Sequence, residues 1–221
     1  DDDPDRGQVR VALVWAGVAA VDPDVGGRVD RVIEAWRTLY ARYDLELVVE
    51  QYVAEGAPAI MPTPQDDAEL WASLSASTAP VDVLVVLAED FEERAGGDLL
   101  GIAGQVPGTP MAGPRGGVLV SLARHAGRDG VLDRDDISFL ASTLGHEVGH
   151  YMGLFHPVEL TWTDHDPLAD TPACDGQDDC INSLAENLMF PATTCWTQGC
   201  EDILDLTDDQ VGVVQLYPGT L

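Results

Sequence analysis

Three histidines and one glutamate carry the strongest chemical signal in this chain. Residues 146 to 156 read His146-Glu147-Val148-Gly149-His150-Tyr151-Met152-Gly153-Leu154-Phe155-His156, the pattern H-E-x-x-H-x-x-G-x-x-H. With this composition such a string arises by chance on the order of once in 10^5 chains. On a helix turning about 100° per residue, His146 and His150 stand one turn apart on one face and can reach the same metal ion. Glu147 sits beside them as a base rather than a ligand. Gly153 falls where the helix must stop, because glycine readily takes the left-handed conformation that redirects a chain. That turn brings His156 to the metal from a new direction. Three neutral imidazoles leaving a fourth position for water describe a catalytic zinc rather than a structural one. Such a zinc acidifies water and polarises a carbonyl, while Glu147 takes the proton and passes it to a leaving amine.

These residues need a frame. A helix is expected over about residues 137–152, with Asp133, Asp135 and Asp136 available to cap its positive end. Ile137, Leu140, Leu144, Val148 and Tyr151 form its apolar stripe, roughly opposite the histidines. Upstream, Val9 to Ala16 reads as a strand, Arg28 to Tyr43 as a helix and Leu45 to Val53 as a strand, a βαβ unit. A short helix near Asp66 to Ser77 leads into Val81 to Leu87, an apolar run suited to a strand covered on both faces. Residues 95–117 are rich in Gly and Pro and predict an extended surface loop, followed by a short strand from Val118 to Leu122. From His156 to about Asp205 the pattern is irregular. A last helix starts at Thr207-Asp208-Asp209-Gln210, a capping-box sequence, and ends before Pro218.

The chain has 221 residues and a formal charge of -28, and all eleven of its cations are Arg. So acidic a surface repels a phosphate backbone and excludes nucleic acid as an expected partner. No window reaches the roughly 18 apolar residues of a membrane span. The start, Asp1-Asp2-Asp3-Pro4-Asp5, reads as a trimmed or processed form without its signal or pro-segment. Cys174, Cys180, Cys195 and Cys200 fall within 27 residues, and none precedes them. Two disulfides in an oxidising compartment are expected over a second zinc, because the gaps fit ribbon-type zinc spacing poorly. The spacing alone leaves three pairings open.

The long zinc motif, followed by Glu186-Asn187-Leu188-Met189-Phe190, resembles the metzincin clan of zinc metalloproteases, in which a Met-containing turn lies beneath the metal. Asp170-Thr171-Pro172, the cysteines bracketing that turn, and Asn187-Leu188-Met189 look most like the pappalysin-type family. The resemblance implies an α+β, metzincin-like zincin: a mixed twisted sheet with packed helices, then a small, irregular, disulfide-stapled lobe ending in a helix. Residues 1–221 are then one catalytic domain, with an N-terminal lobe over 1–156 and a C-terminal lobe over 157–221 that holds Met189. It also implies disulfides Cys174–Cys195 and Cys180–Cys200, and calcium in the second lobe. Pro157 is more reminiscent of serralysins, and Pro191 stands where astacins and serralysins carry a zinc-contacting Tyr. Oxyanion stabilisation then falls to zinc and Glu147, with His165 or a backbone N–H as helpers.

Asp164, Asp166 and Asp170 offer three carboxylates for that calcium, with Asp175, Asp178 and Asp179 as weaker candidates; a solvated acidic loop is the alternative. By the resemblance, Val118, Leu119, Val120 and Ser121 form the edge strand above the cleft and receive an extended peptide. His125 reads as a surface histidine. The expected function is a secreted, zinc-dependent endopeptidase with a protein or peptide substrate, acting as a monomer. The alternatives are a zinc hydrolase of non-peptide amides or esters, and a weakly catalytic, metal-stabilised binding module. An intact Glu147 argues against the module, since a structural site needs no base.

Overall fold

A computed structural model describes residues 7–17, 23–92, 99–109, 116–126, 130–195 and 199–217. Strand β1 (Gly7–Ala16), helix α1 (Pro23–Ala41) and strand β2 (Leu45–Ala54) form the βαβ unit expected from their periods. Next come the two-residue strand β3 (Ile60–Met61), α2 (Ala68–Ala76), β4 (Val83–Ala88) and the two-residue strand β5 (Asp90–Phe91). They are followed by β6 (Gly101–Ala103), β7 (Val118–Ser121) and the long helix α3 (Arg134–Tyr151). The chain closes with α4 (Gln177–Leu184), α5 (Cys200–Ile203) and α6 (Asp208–Gln215).

The main sheet has the order β2-β1-β4-β7-β6, parallel throughout except for β6. Side chains alternate across it, as a two-residue period requires. Val9, Val11, Leu13 and Trp15 of β1 face α1 and α3, whereas Ala12, Val14 and Ala16 pack with Trp71 and Leu74 of α2. Central β4 is buried along its whole length, which accounts for its unbroken apolar run.

Helix α3 lies on this sheet and against α1. Its stripe residues Ile137, Leu140, Leu144, Val148 and Tyr151 are all buried, and burial of such a side chain contributes roughly 1.5–3 kcal/mol. The helix starts three residues before the expected Ile137 because Asp133 caps it. The Asp133 carboxylate accepts from the N–H groups of Asp135 and Asp136, and Asp136 accepts from the Asp133 N–H. Helix α6 starts the same way, with Thr207 and Gln210 as its box.

Three expectations need correction. The Gly/Pro-rich stretch 95–117, of which 95–98 and 110–115 lie outside the described residues, is not all loop: Gly101–Ala103 pairs antiparallel with β7. Val118–Ser121 is therefore interior, bonded to β4 on one side and β6 on the other, and among the described residues β6 is the edge strand on that side. The region after His156 also holds α4 and α5, whose short, acidic sequences offer few apolar anchors for periodicity to detect.

The disulfides join neighbours, Cys174–Cys180 and Cys195–Cys200, rather than the alternating pairs that the resemblance implied. The cause is packing into two separate apolar clusters. Cys174 and Cys180 pack with Val158, Leu184 and Phe190, while Cys195 and Cys200 belong to the main core.

Candidate active site

His146 and His150 project from α3, and His156 returns to them after Gly153, whose φ of +110° carries the turn. Each imidazole is held by its Nδ1. His146 Nδ1 bonds Leu188 O at 2.8 Å, His150 Nδ1 bonds Leu154 O at 2.8 Å, and His156 Nδ1 meets Glu159 Oε2 at 3.0 Å. All three partners are acceptors, so each Nδ1 carries the proton and each Nε2 keeps its lone pair. One donor atom from each histidine lies within 4.8 Å of the others. The Nε2 atoms of His150 and His156 are 3.0 Å apart. Lone pairs facing one another at that distance are the arrangement that a shared cation resolves.

Electrostatics keep His146 and His150 neutral. Burial, and then the charges of His150 and His156, push His146 well below the usual histidine range. Burial and then His156 lower His150 to about 4. Neutral imidazole is the metal-binding form.

Glu147 follows His146 on the helix and is buried beside β6, where the Ala103 N–H bonds its carboxyl. Desolvation dominates and raises its pKa to about 8. A carboxyl poised near neutrality can both take and return a proton.

Met189 is fully buried under this helix. A Cβ added at Gly149 would lie 2.7 Å from Met189 Sδ, so the missing side chain at Gly149 lets the methionine pack this close to the helix. The turn bearing Met189 is fastened at both ends of its peptide. Leu188 N–H donates to Asp205 O at 2.7 Å, and Met189 N–H donates to Asn187 Oδ1 at 2.9 Å. Asp205 in turn meets Arg42, the residue just after α1, at 3.1 Å.

A cleft of about 570 Å3 opens over the three histidines and Glu147. It is lined by residues 99–103 and Val106 beside β6, by α3, by Phe155, His156, Glu159 and Leu160, and by residues 187, 188 and 190–195. Pro191 lines it too, with no phenol at that position.

Other candidates stand elsewhere. Asp164 accepts from Thr161, Asp166 from Leu168 N–H and Thr171, and Asp170 from Asp209 N–H. Among the described residues they form no cluster of converging carboxylates, so calcium has no support here. His165 lies against Cys174 and is not among the cleft residues. His125 is buried, correcting the surface reading, and bridges Ser121 O at 2.6 Å and Thr143 Oγ1 at 2.9 Å. Sequence reasoning missed Glu159, because its three-residue spacing from His156 has meaning only once the loop geometry is known. It also missed the Ala103 N–H, which has no side-chain signature.

No family model and no curated protein sequence matches this chain. Among solved structures, archaemetzincin from Methanopyrus kandleri is similar at a TM-score of 0.57 and 16% identity over 94% of each chain. A chain of a structure described as a chaperone–substrate complex matches at a TM-score of 0.50 and 16% identity, covering 97% of this chain and 38% of that one. The first likeness is one of fold, shared with archaemetzincin, and does not reach a pappalysin-type assignment.

Proposed function

We propose that this chain is a zinc-dependent endopeptidase working outside the cell. The observation that carries the reading is the set of three Nδ1 hydrogen bonds, which turn three unprotonated Nε2 atoms toward one another. Three neutral nitrogens with a buried carboxyl alongside match the donor set of a catalytic zinc. His146, His150 and His156 would hold the ion, and zinc supplies a Lewis acid that polarises a carbonyl and acidifies water. Glu147 is the general base: its carboxyl takes the proton of the attacking water and returns it to the leaving amine. The Ala103 N–H orients that carboxyl, and Met189 supports the floor without ligating. The β6 edge, next to Glu147, gives an extended peptide a strand to pair with. The likeness to archaemetzincin favours hydrolase chemistry, and two disulfides favour an oxidising compartment. In this reading residues 1–221 act as one catalytic domain, with lobes over 1–156 and 157–221.

The test is metal removal and return on an unfolded protein substrate. The expected result is loss of cleavage on chelation and recovery with one equivalent of zinc per chain. Full cleavage by metal-free protein would overturn the proposal.

A further inference from the structure

We infer that the substrate is a peptide segment with large apolar side chains beside the cut bond, and that charged side chains are excluded there. This rests on the peptidase reading above. Nine large apolar side chains are exposed among the described residues, and four of them, Leu99, Val106, Phe155 and Leu160, line this one cleft. They flank β6 and His156, the two segments nearest the proposed chemistry. Phe155 is 50% exposed and Leu160 62%, so both have apolar surface still to lose to an occupant.

Charge points the same way. Among the described residues the cleft lining holds two carboxyl groups, Glu147 and Glu159, and no Arg. Glu147 is buried against the Ala103 N–H, and Glu159 accepts from His156. A substrate Lys or Arg would lose water for a carboxyl already hydrogen-bonded, and an Asp or Glu would find no Arg among the described lining residues. An apolar side chain loses nothing comparable and covers exposed apolar surface. The occupant is a peptide because β6 is, among the described residues, the terminal strand of its sheet, and the backbone edge of such a strand pairs with another backbone.

The zinc-loaded Glu147→Gln protein, which retains the cleft, is titrated with labelled peptides that differ only around the central bond: Leu on either side, or Lys, or Asp. We expect the Leu peptide to bind about tenfold tighter than either charged version. Leu160→Glu should narrow the gap to the Lys peptide. In parallel, cut sites made by the unaltered protein in a digest of unfolded proteins should be enriched about tenfold in Leu, Ile, Val, Met and Phe over charged residues. Cleavage with equal or greater preference for charged residues overturns this inference and leaves the peptidase reading standing. A zinc-loaded protein that binds and cuts no peptide overturns both.

Discussion

The side-chain amides of Asn187 and Gln210 face each other in the interior, with Asn187 Nδ2 donating to Gln210 Oε1 at 2.8 Å. Gln210 Oε1 also accepts from the Thr207 N–H, and Asn187 Oδ1 accepts from the Met189 N–H. One amide pair therefore joins the cap of α6 to the turn beneath the histidines. Leu188, in that turn, is the residue whose carbonyl fixes His146. The last helix thus bears on the orientation of a proposed metal ligand without approaching it.

Gln210→Ala leaves the Asn187 amide buried without its partner. A loss of about 1–3 kcal/mol in unfolding free energy is expected from that group. Zinc affinity should fall as well, by about tenfold or more, because the Leu188 carbonyl is less firmly held. Denaturant unfolding and competition with a metal chelator read the two effects separately. Unaltered zinc affinity in a folded, destabilised variant would show that the amide pair serves the fold alone.

Glu159 acts on His156 as Leu188 acts on His146, but it brings a charge. Glu159→Ala should weaken zinc binding by about 10- to 100-fold, and Glu159→Gln by less, since an amide oxygen still accepts from Nδ1. The order Glu, Gln, Ala in chelator competition is the expected outcome. Equal affinities across the three would remove Glu159 from the site.

His125 predicts an acid-sensitive fold. Burial lowers its pKa to about 4 against an ordinary value of 6.5, so the folded protein keeps it neutral while the unfolded chain takes up a proton. Stability from this residue is complete above about pH 6.5 and is lost as the pH falls toward 4. At pH 5 the loss is about 2 kcal/mol relative to pH 7. His125→Gln should lose that much less between the two pH values in urea unfolding. An identical acid slope in both proteins would contradict the burial argument.

The helix that carries the histidines was legible because its motif, its apolar stripe and its capping aspartates agree. The β1-α1-β2 unit was legible for the same reason: period and punctuation coincide. Gly101–Ala103 was not, since three small or β-branched residues among Gly and Pro carry no alternation and form a strand only because β7 offers an edge. That missing strand is also why Val118–Ser121 was read as the rim. His125 has no local pattern to announce burial; its place depends on Ser121 and Thr143, brought together by the tertiary fold. The cysteine pairing depended likewise on which apolar cluster each residue joins.

The neighbouring disulfides close short loops, so each should contribute about 2 kcal/mol by restricting the unfolded chain. Peptide mapping without reduction should recover Cys174 joined to Cys180 and Cys195 joined to Cys200. Recovery of Cys174 with Cys195 would restore the alternating arrangement and refute this part of the structure.

The most direct test of the central claim is zinc content and turnover of the Glu147→Gln protein, measured beside the unaltered chain on the same unfolded substrate. Both proteins should hold one zinc per chain, and turnover in the variant should fall by a factor of about 10^2 to 10^4. Full zinc with unchanged turnover would contradict the role of Glu147 as the base, and loss of zinc in the variant would contradict the assignment of the metal to His146, His150 and His156 alone.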